Sequence, residues 1–150
     1  MSTTFDLATV THSIASLSIS GVVTKDTHEI VDSLGLGFAI LCPRPSDFIT
    51  NFQVTKNDVT GQNLDINYTL NYLYFHTQIA GGLGGIYGVY APMLANLALI
   101  IKAFASDTTL SGAMDNGLPQ VGNIGFVSDG AGNQYHGCSI SINVTQFLEV

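Results

Sequence analysis

Residues 64–76 read LDINYTLNYLYFH, and the order of residue types in this stretch decides the fold class. Leu64, Ile66, Tyr68, Leu70, Tyr72 and Tyr74 fall on one side of an extended chain, and Asp65, Asn67, Thr69 and Asn71 fall on the other. That period of two belongs to a strand, since a helix would scatter the same residues around its circumference. Toward the end Leu73 and Phe75 make the second side apolar too, so this end is expected to be covered on both faces. The stretch is long beside a typical strand of about five or six residues, and long strands commonly extend beyond their own core into a shared surface.

Upstream, GLGFAILCPRP is an apolar run of strand length closed by Pro43 and Pro45, which cannot donate ladder hydrogen bonds; a strand is expected over Leu36 to Cys42. Between Ser46 and Asn63 the chain is polar, with Phe48, Ile49, Phe52 and Val54 interspersed, and reads as a long arm or irregular β excursion able to reach a neighbour. GVVTKDTHEIV offers a short strand at Val22 to Thr24 and a second extended piece near Ile30. From Thr3 to Leu17 apolar residues recur at Leu7, Val10, Ile14 and Leu17, the spacing of one helical face, with Thr3 and Asp6 placed as a capping box and an end near Ser20-Gly21.

Downstream, AGGLGGIYGVYAP at 80–92 packs five glycines between Gly81 and Gly88 and leads into an apolar segment, Ala91 to Ala105. With Pro92 near its start and Met93, Leu94, Leu97, Ile100, Ile101 and Phe104 along it, this segment reads as a second helix packed across the sheet. SDTTLSGAMDNGLPQ (106–120) reads as a loop. VGNIGFV then runs into the turn SDGAGN, and QYHGCSISINVTQF returns with Cys138, Ile140, Ile142 and Val144 inward and Ser139, Ser141, Asn143 and Thr145 outward, a C-terminal β-hairpin. The expected architecture is α+β: a mixed or antiparallel sheet of four to six strands with two α-helices packed on one face, in one domain spanning 1–150.

The formal net charge of -7 arises from eleven carboxylates against Lys25, Arg44, Lys56 and Lys102, which are scattered. With no basic patch to neutralise phosphates, the chain is not expected to grip DNA or RNA, although an acidic wall could let DNA slide past. Only 10% of residues are charged while 46% are hydrophobic, a composition suited to a surface with a partner. The start, MSTTFDLATV, lacks the positive end and apolar run of a secretion signal, and Asn96 and Lys102 interrupt the longest apolar stretch, so no membrane association is expected. Cys42 and Cys138 show no CxxC spacing and read as buried thiols. The triplets Asn67-Tyr68-Thr69 and Asn143-Val144-Thr145 match the glycosylation pattern, but inside strand-like segments that match carries little weight.

No constellation on the chain argues for catalysis. A dinucleotide loop built on Gly82 and Gly84 would need glycine at position 87, which is Tyr87, and no Lys or Arg lies between Lys56 and Lys102 to serve a phosphate loop. His12, His28, His76 and His136 lack metal-ligand spacing, so no metal is expected. His136 and Cys138 share a strand face, but Cys138 sits among core residues and reads as an inert thiol. No GxSxG elbow occurs, and Asp26, Glu29 and Asp32, the one close group of carboxylates, read as a solvated face. The expectation is a protein that is not an enzyme and takes no cofactor.

The succession of FDLATVTHSIASL, FAILCPRP, DINYTLNYLYFH, PMLANLALIIKAFAS and YHGCSISINVTQFLEV resembles the tail terminator (tail completion) proteins of long-tailed bacteriophages. The resemblance spans nearly the whole chain through element order, and the glycine-rich link before the second helix is longer and more apolar than the family pattern. It implies a homohexameric ring, made in the host cytoplasm and resident in the virion, that caps the tail tube and joins it to the neck or head-tail connector protein. The partners so implied are the chain itself, the tail tube protein and the connector.

Within that reading Phe48, Ile49 and Phe52 on the arm, with Tyr87 and Tyr90 on the glycine link, are candidate ring and tube contacts, because apolar residues in irregular segments need cover. The alternative that they fold back on their own core stays open. Asp107, Asp115 and Asp129 are candidates to line a lumen. Other readings are a tail tube subunit or neck adaptor of the same particle, or a small cytoplasmic enzyme or ligand-binding α+β domain with a pocket between the second helix and the sheet.

Overall fold

The structure, a computed structural model, describes residues 7–17, 19, 21–25, 39–44, 47–56, 63–78, 90–106, 116–128 and 134–149. In chain order these form α1 (Leu7–Ala15), β1 (Val22–Thr24), β2 (Ala39–Pro43), β3 (Ile49–Lys56), β4 (Asn63–Gln78), α2 (Ala91–Ser106), β5 (Asn116–Ser128) and β6 (Gln134–Glu149). Six strands in one mixed, open sheet with two helices make an α+β fold, in line with the alternation at 64–76.

The sheet runs β1-β2-β4-β6-β5, with β3 also paired to β4. β1 and β2 are parallel and every other pair is antiparallel. β4 is the spine. One of its edges is taken by β6 from Asn63 to Gln78, while the other is divided between β3 at Leu64 to Leu70 and β2 at Tyr72 to Phe75. The division falls on Asn71, whose carbonyl accepts from the Arg44 N–H at 2.9 Å and whose own N–H donates to the Phe48 carbonyl at 2.8 Å. The Asn71 Nδ2 donates again to the Asp47 carbonyl and the Thr50 hydroxyl, so one amide side chain ties down the exit from β2 and the start of β3.

Alternation along β4 produces two apolar clusters. Ile66, Tyr68, Leu70, Tyr72 and Tyr74 join Ala39, Leu41, Cys138, Ile140, Ile142 and Val144 in one cluster, together with Val10 and Ile14 of α1 and Met93, Leu97, Ile100 and Phe104 of α2. Leu73 and Phe75 join Ile40, Cys42 and Tyr135 in a second. Successive strand residues point to opposite faces, so these clusters lie on opposite faces of the sheet, and the end of β4 is apolar on both sides as its sequence implies.

One local reading is narrowed and three are corrected. Of the two readings of 46–63, the irregular β excursion is the one observed over Ile49–Lys56, a strand with one bulge rather than a free arm. Between the pairs Thr50–Thr69 and Gln53–Asn67, Asn51 and Phe52 oppose the single residue Tyr68; Asn51 adopts φ 56°, a left-handed conformation that asparagine tolerates better than most side chains. The loop expected at 106–120 is already strand from Asn116, with Pro119 accommodated because β5 pairs on one side alone, with β6, among the described residues. The first helix ends at Ala15 rather than near Gly21, where the Ser16 hydroxyl donates to the His12 carbonyl and the Leu17 N–H closes a tighter turn onto Ile14. Finally, Leu94 and Ile101 of α2 lie outside the buried face formed by Met93, Leu97, Ile100 and Phe104. Each sits one residue past a buried one, about 100° around the helix.

The strand expected over Leu36 to Cys42 is observed from Ala39 and runs on to Pro43; positions 36–38, the capping box at Thr3 and Asp6, and the extended piece near Ile30 lie outside the described residues. Thr24 caps α1 from a distance, its hydroxyl donating to the Ala15 carbonyl at 2.7 Å. Among the described residues no helix is long and apolar enough to cross a membrane.

Candidate functional site

Two features stand out from the fold: a set of histidine–tyrosine contacts at one end of β4 and β6, and apolar side chains left exposed on β3, β5 and α2. The network exists because β4 carries one extra residue, His76, between its Phe75–Gly137 and Thr77–His136 pairs. That bulge brings His76 beside Tyr74, whose hydroxyl lies 2.9 Å from His76 Nδ1. Asn96 of α2 donates to the same hydroxyl at 3.0 Å. The phenol thus links Asn96 of α2 to His76 of β4.

On β6, His136 is buried between two aromatic rings, Tyr90 and Phe126, each T-shaped to it, and its Nδ1 lies 3.2 Å from the Tyr90 hydroxyl. Tyr90 stands immediately before α2, so the pair fastens that end of the helix to the sheet. Burial, and then the charge that His136 can carry, hold His76 below its ordinary range. Burial pushes the Tyr74 phenol up to about 12, with the Asn96 hydrogen bond opposing and Cys138 adding. Burial likewise raises the Cys138 thiol to about 12, where almost no thiolate exists at neutral pH. Burial therefore keeps the Tyr74 phenol and the Cys138 thiol protonated at neutral pH. Among the described residues no three His, Cys, Asp or Glu side chains converge as metal ligands would.

The two cysteines lie in different clusters, Cys42 with Phe75 and Cys138 with Tyr74, so the sheet separates them. The two glycosylation-like triplets have a structural employment. Asn67 faces Thr145 and Thr69 faces Asn143 across β4 and β6, and each threonine hydroxyl donates to the asparagine opposite. With Ser141 donating to Asn71 in the next rung, these residues form a polar ladder on the face opposite the larger cluster.

The candidate contact residues divide. Phe48 is half-buried, its ring T-shaped against Tyr72 at 5.6 Å, and Tyr90 is half-buried on His136; both pack against the core of their own chain. Ile49 and Phe52 are more exposed, Phe52 at 50% even though its ring stacks on Tyr68. Tyr87, Asp107, Asp115 and Asp129 lie outside the described residues. Sequence reading missed Val54, Ile124 and Phe126, all exposed. Register supplies the missing signal: Val54 stands opposite buried Ile66, Ile124 opposite buried Cys138, and Phe126 opposite buried His136. Each therefore shares the face of the larger cluster but lies at a sheet margin, where cover runs out. No protein-family model matches the chain, and no curated protein matches it.

Proposed function

We propose that the protein is a structural subunit of a phage virion, a tail terminator that closes into a homohexameric ring, caps the tail tube and joins it to the head-tail connector. The single observation that carries this reading is the pair of sheet margins. β3 at one side and β5 at the other each pair with one neighbour among the described residues, and each displays exposed apolar side chains, Ile49 and Val54 on one and Ile124 and Phe126 on the other. Two unlike apolar margins on opposite sides are what a head-to-tail contact uses, and such contacts close into rings when the rotation permits. The low charge content and the net charge of -7 support subunit packing around a conduit through which DNA passes without sticking. In this reading α1 and α2 form a layer on one face of the sheet, β5 and β6 form the closing hairpin, and the acidic loop residues Asp107, Asp115 and Asp129 face the lumen.

Sedimentation of the full chain, alone and mixed with tail tubes, tests the proposal. A discrete closed oligomer, or capping of tubes, is expected, with I49S/V54S and I124S/F126S each preventing closure while leaving the circular dichroism spectrum unchanged. A compact monomer at high concentration that also ignores tail tubes overturns it. Open-ended stacks would identify a tube subunit instead.

A further inference from the structure

α2 carries a second apolar surface that the sheet margins do not explain. Its buried face is Met93, Leu97, Ile100 and Phe104, yet Leu94, Leu99 and Ile101 on the solvent side are 53%, 39% and 42% exposed. Leu94 and Ile101 are seven residues apart and therefore align along the helix, with exposed Ala91, Ala98 and Ala105 completing the row at the three- and four-residue spacing of a helix-pairing seam. Lys102 is the lone charged residue of α2. A helix apolar around most of its circumference is normally buried on all sides.

From this we infer that α2 pairs antiparallel with α2 of a second copy of the chain, through a two-fold contact distinct from the strand margins. Two observations commit the surface to a copy in that orientation. The first is charge: α2 has no acidic residue in its first turn and no basic residue in its last, so neither end of its macrodipole is compensated by a side chain of the helix. An antiparallel copy sets the positive end of each helix beside the negative end of the other, whereas a parallel copy would set like ends together. The second is shape: large and small residues alternate along the row, so an antiparallel copy can lay Leu94 and Ile101 over the alanines of its mate and bring the backbones close. The same surface on both partners makes the contact self-complementary.

The contact does not depend on the ring proposal and is tested separately, in the full chain, by a short bifunctional thiol cross-linker. Cys42 and Cys138 are buried and will not compete. In an antiparallel pair A98C cross-links to itself, and A91C cross-links to A105C when the two variants are mixed. A91C does not cross-link to itself, its two copies lying about 21 Å apart along the axis. S16C, an exposed site on α1, reports random collision. L94E/I101E in the A98C background should reduce cross-linking at least tenfold, with unchanged helix content and with ring closure, where it occurs, intact. Cross-linking of A98C no faster than S16C overturns the inference, as does self-cross-linking of A91C, the mark of a parallel pair. Insensitivity of A98C cross-linking to L94E/I101E overturns it equally.

Discussion

Asn67 and Thr145 face one another across β4 and β6, the threonine hydroxyl donating to the asparagine Oδ1 at 2.8 Å, and two rungs on Thr69 and Asn143 repeat the bond with the roles exchanged between strands. A double-mutant cycle on N67A and T145V measures what the pairing contributes to register. The expected coupling is about 0.5–1 kcal/mol in urea denaturation, the range for cross-strand hydroxyl pairs. A cycle between Asn67 and Asn143, which do not face each other, should give a smaller value.

Gly137 fills a place that no other residue can take. Added as a side chain there, a Cβ would collide with the Tyr74 carbonyl, and Val127 crowds the same space. Backbone cannot retreat as the end of a flexible side chain can. G137A should therefore destabilise the protein by about 1–3 kcal/mol, read as a fall in urea midpoint at constant slope. At Gly125 of β5 nothing lies within reach, and G125A should leave the midpoint nearly unchanged.

Adjacent residues of α2 should behave oppositely. Ile100 is fully buried, and I100A should cost about 2–5 kcal/mol through lost transfer energy and the cavity left behind. Ile101 is 42% exposed, and I101A should change the stability of the monomer by no more than about 0.5 kcal/mol. Thermal unfolding at low protein concentration separates the two variants.

Stability should depend on pH through His76. Its pKa in the folded protein lies below the ordinary 6.5, chiefly from burial, so the unfolded chain binds the proton more readily. The stabilising contribution is complete above pH 6.5 and is lost as pH falls from there through the depressed folded value. Urea midpoints measured from pH 7.5 down to pH 5 should decline, and the slope should be shallower in H76Q.

Thiol accessibility gives an independent check on packing. Cys42 and Cys138 are both fully buried, and burial raises the Cys138 thiol to about 12. Neither should react with a chromogenic disulfide reagent in the native protein over minutes, and both should react at once in denaturant. Fast reaction of a single thiol in the native state would mean that one of the two clusters is open.

The elements legible in the sequence were those whose side chains declare a period over many residues. Leu64 to Tyr72 and Cys138 to Val144 alternate without interruption, and both strands are found where that alternation runs. β3 was harder to read because its apolar residues do not alternate, and the cause is the extra residue in the Asn51–Phe52 bulge, which shifts Phe52 onto the side of Tyr68. The bulge at His76 likewise hides from a one-strand reading that His136 would lie close enough to act on His76 electrostatically, since that follows from register between segments far apart in sequence. On α2 the apolar residues were recognised but not apportioned. Seven large apolar positions exceed what one buried stripe accommodates, and the excess, Leu94, Leu99 and Ile101, is what the sequence can reveal about a second contact once the helix is placed.

The undivided edge of β4, the one taken by β6, also has a kinetic consequence. Every rung between β4 and β6, from Gln78–Tyr135 to Asn63–Glu149, joins segments separated by α2 and β5, so the central pairing requires a long chain closure before it returns any stabilisation. Folding should accordingly be slow for a chain of this size, on the order of milliseconds to seconds. Until residues 134–149 dock, the longest hydrogen-bonding edge of β4 remains open to other chains, and the yield of native protein should fall as refolding concentration rises.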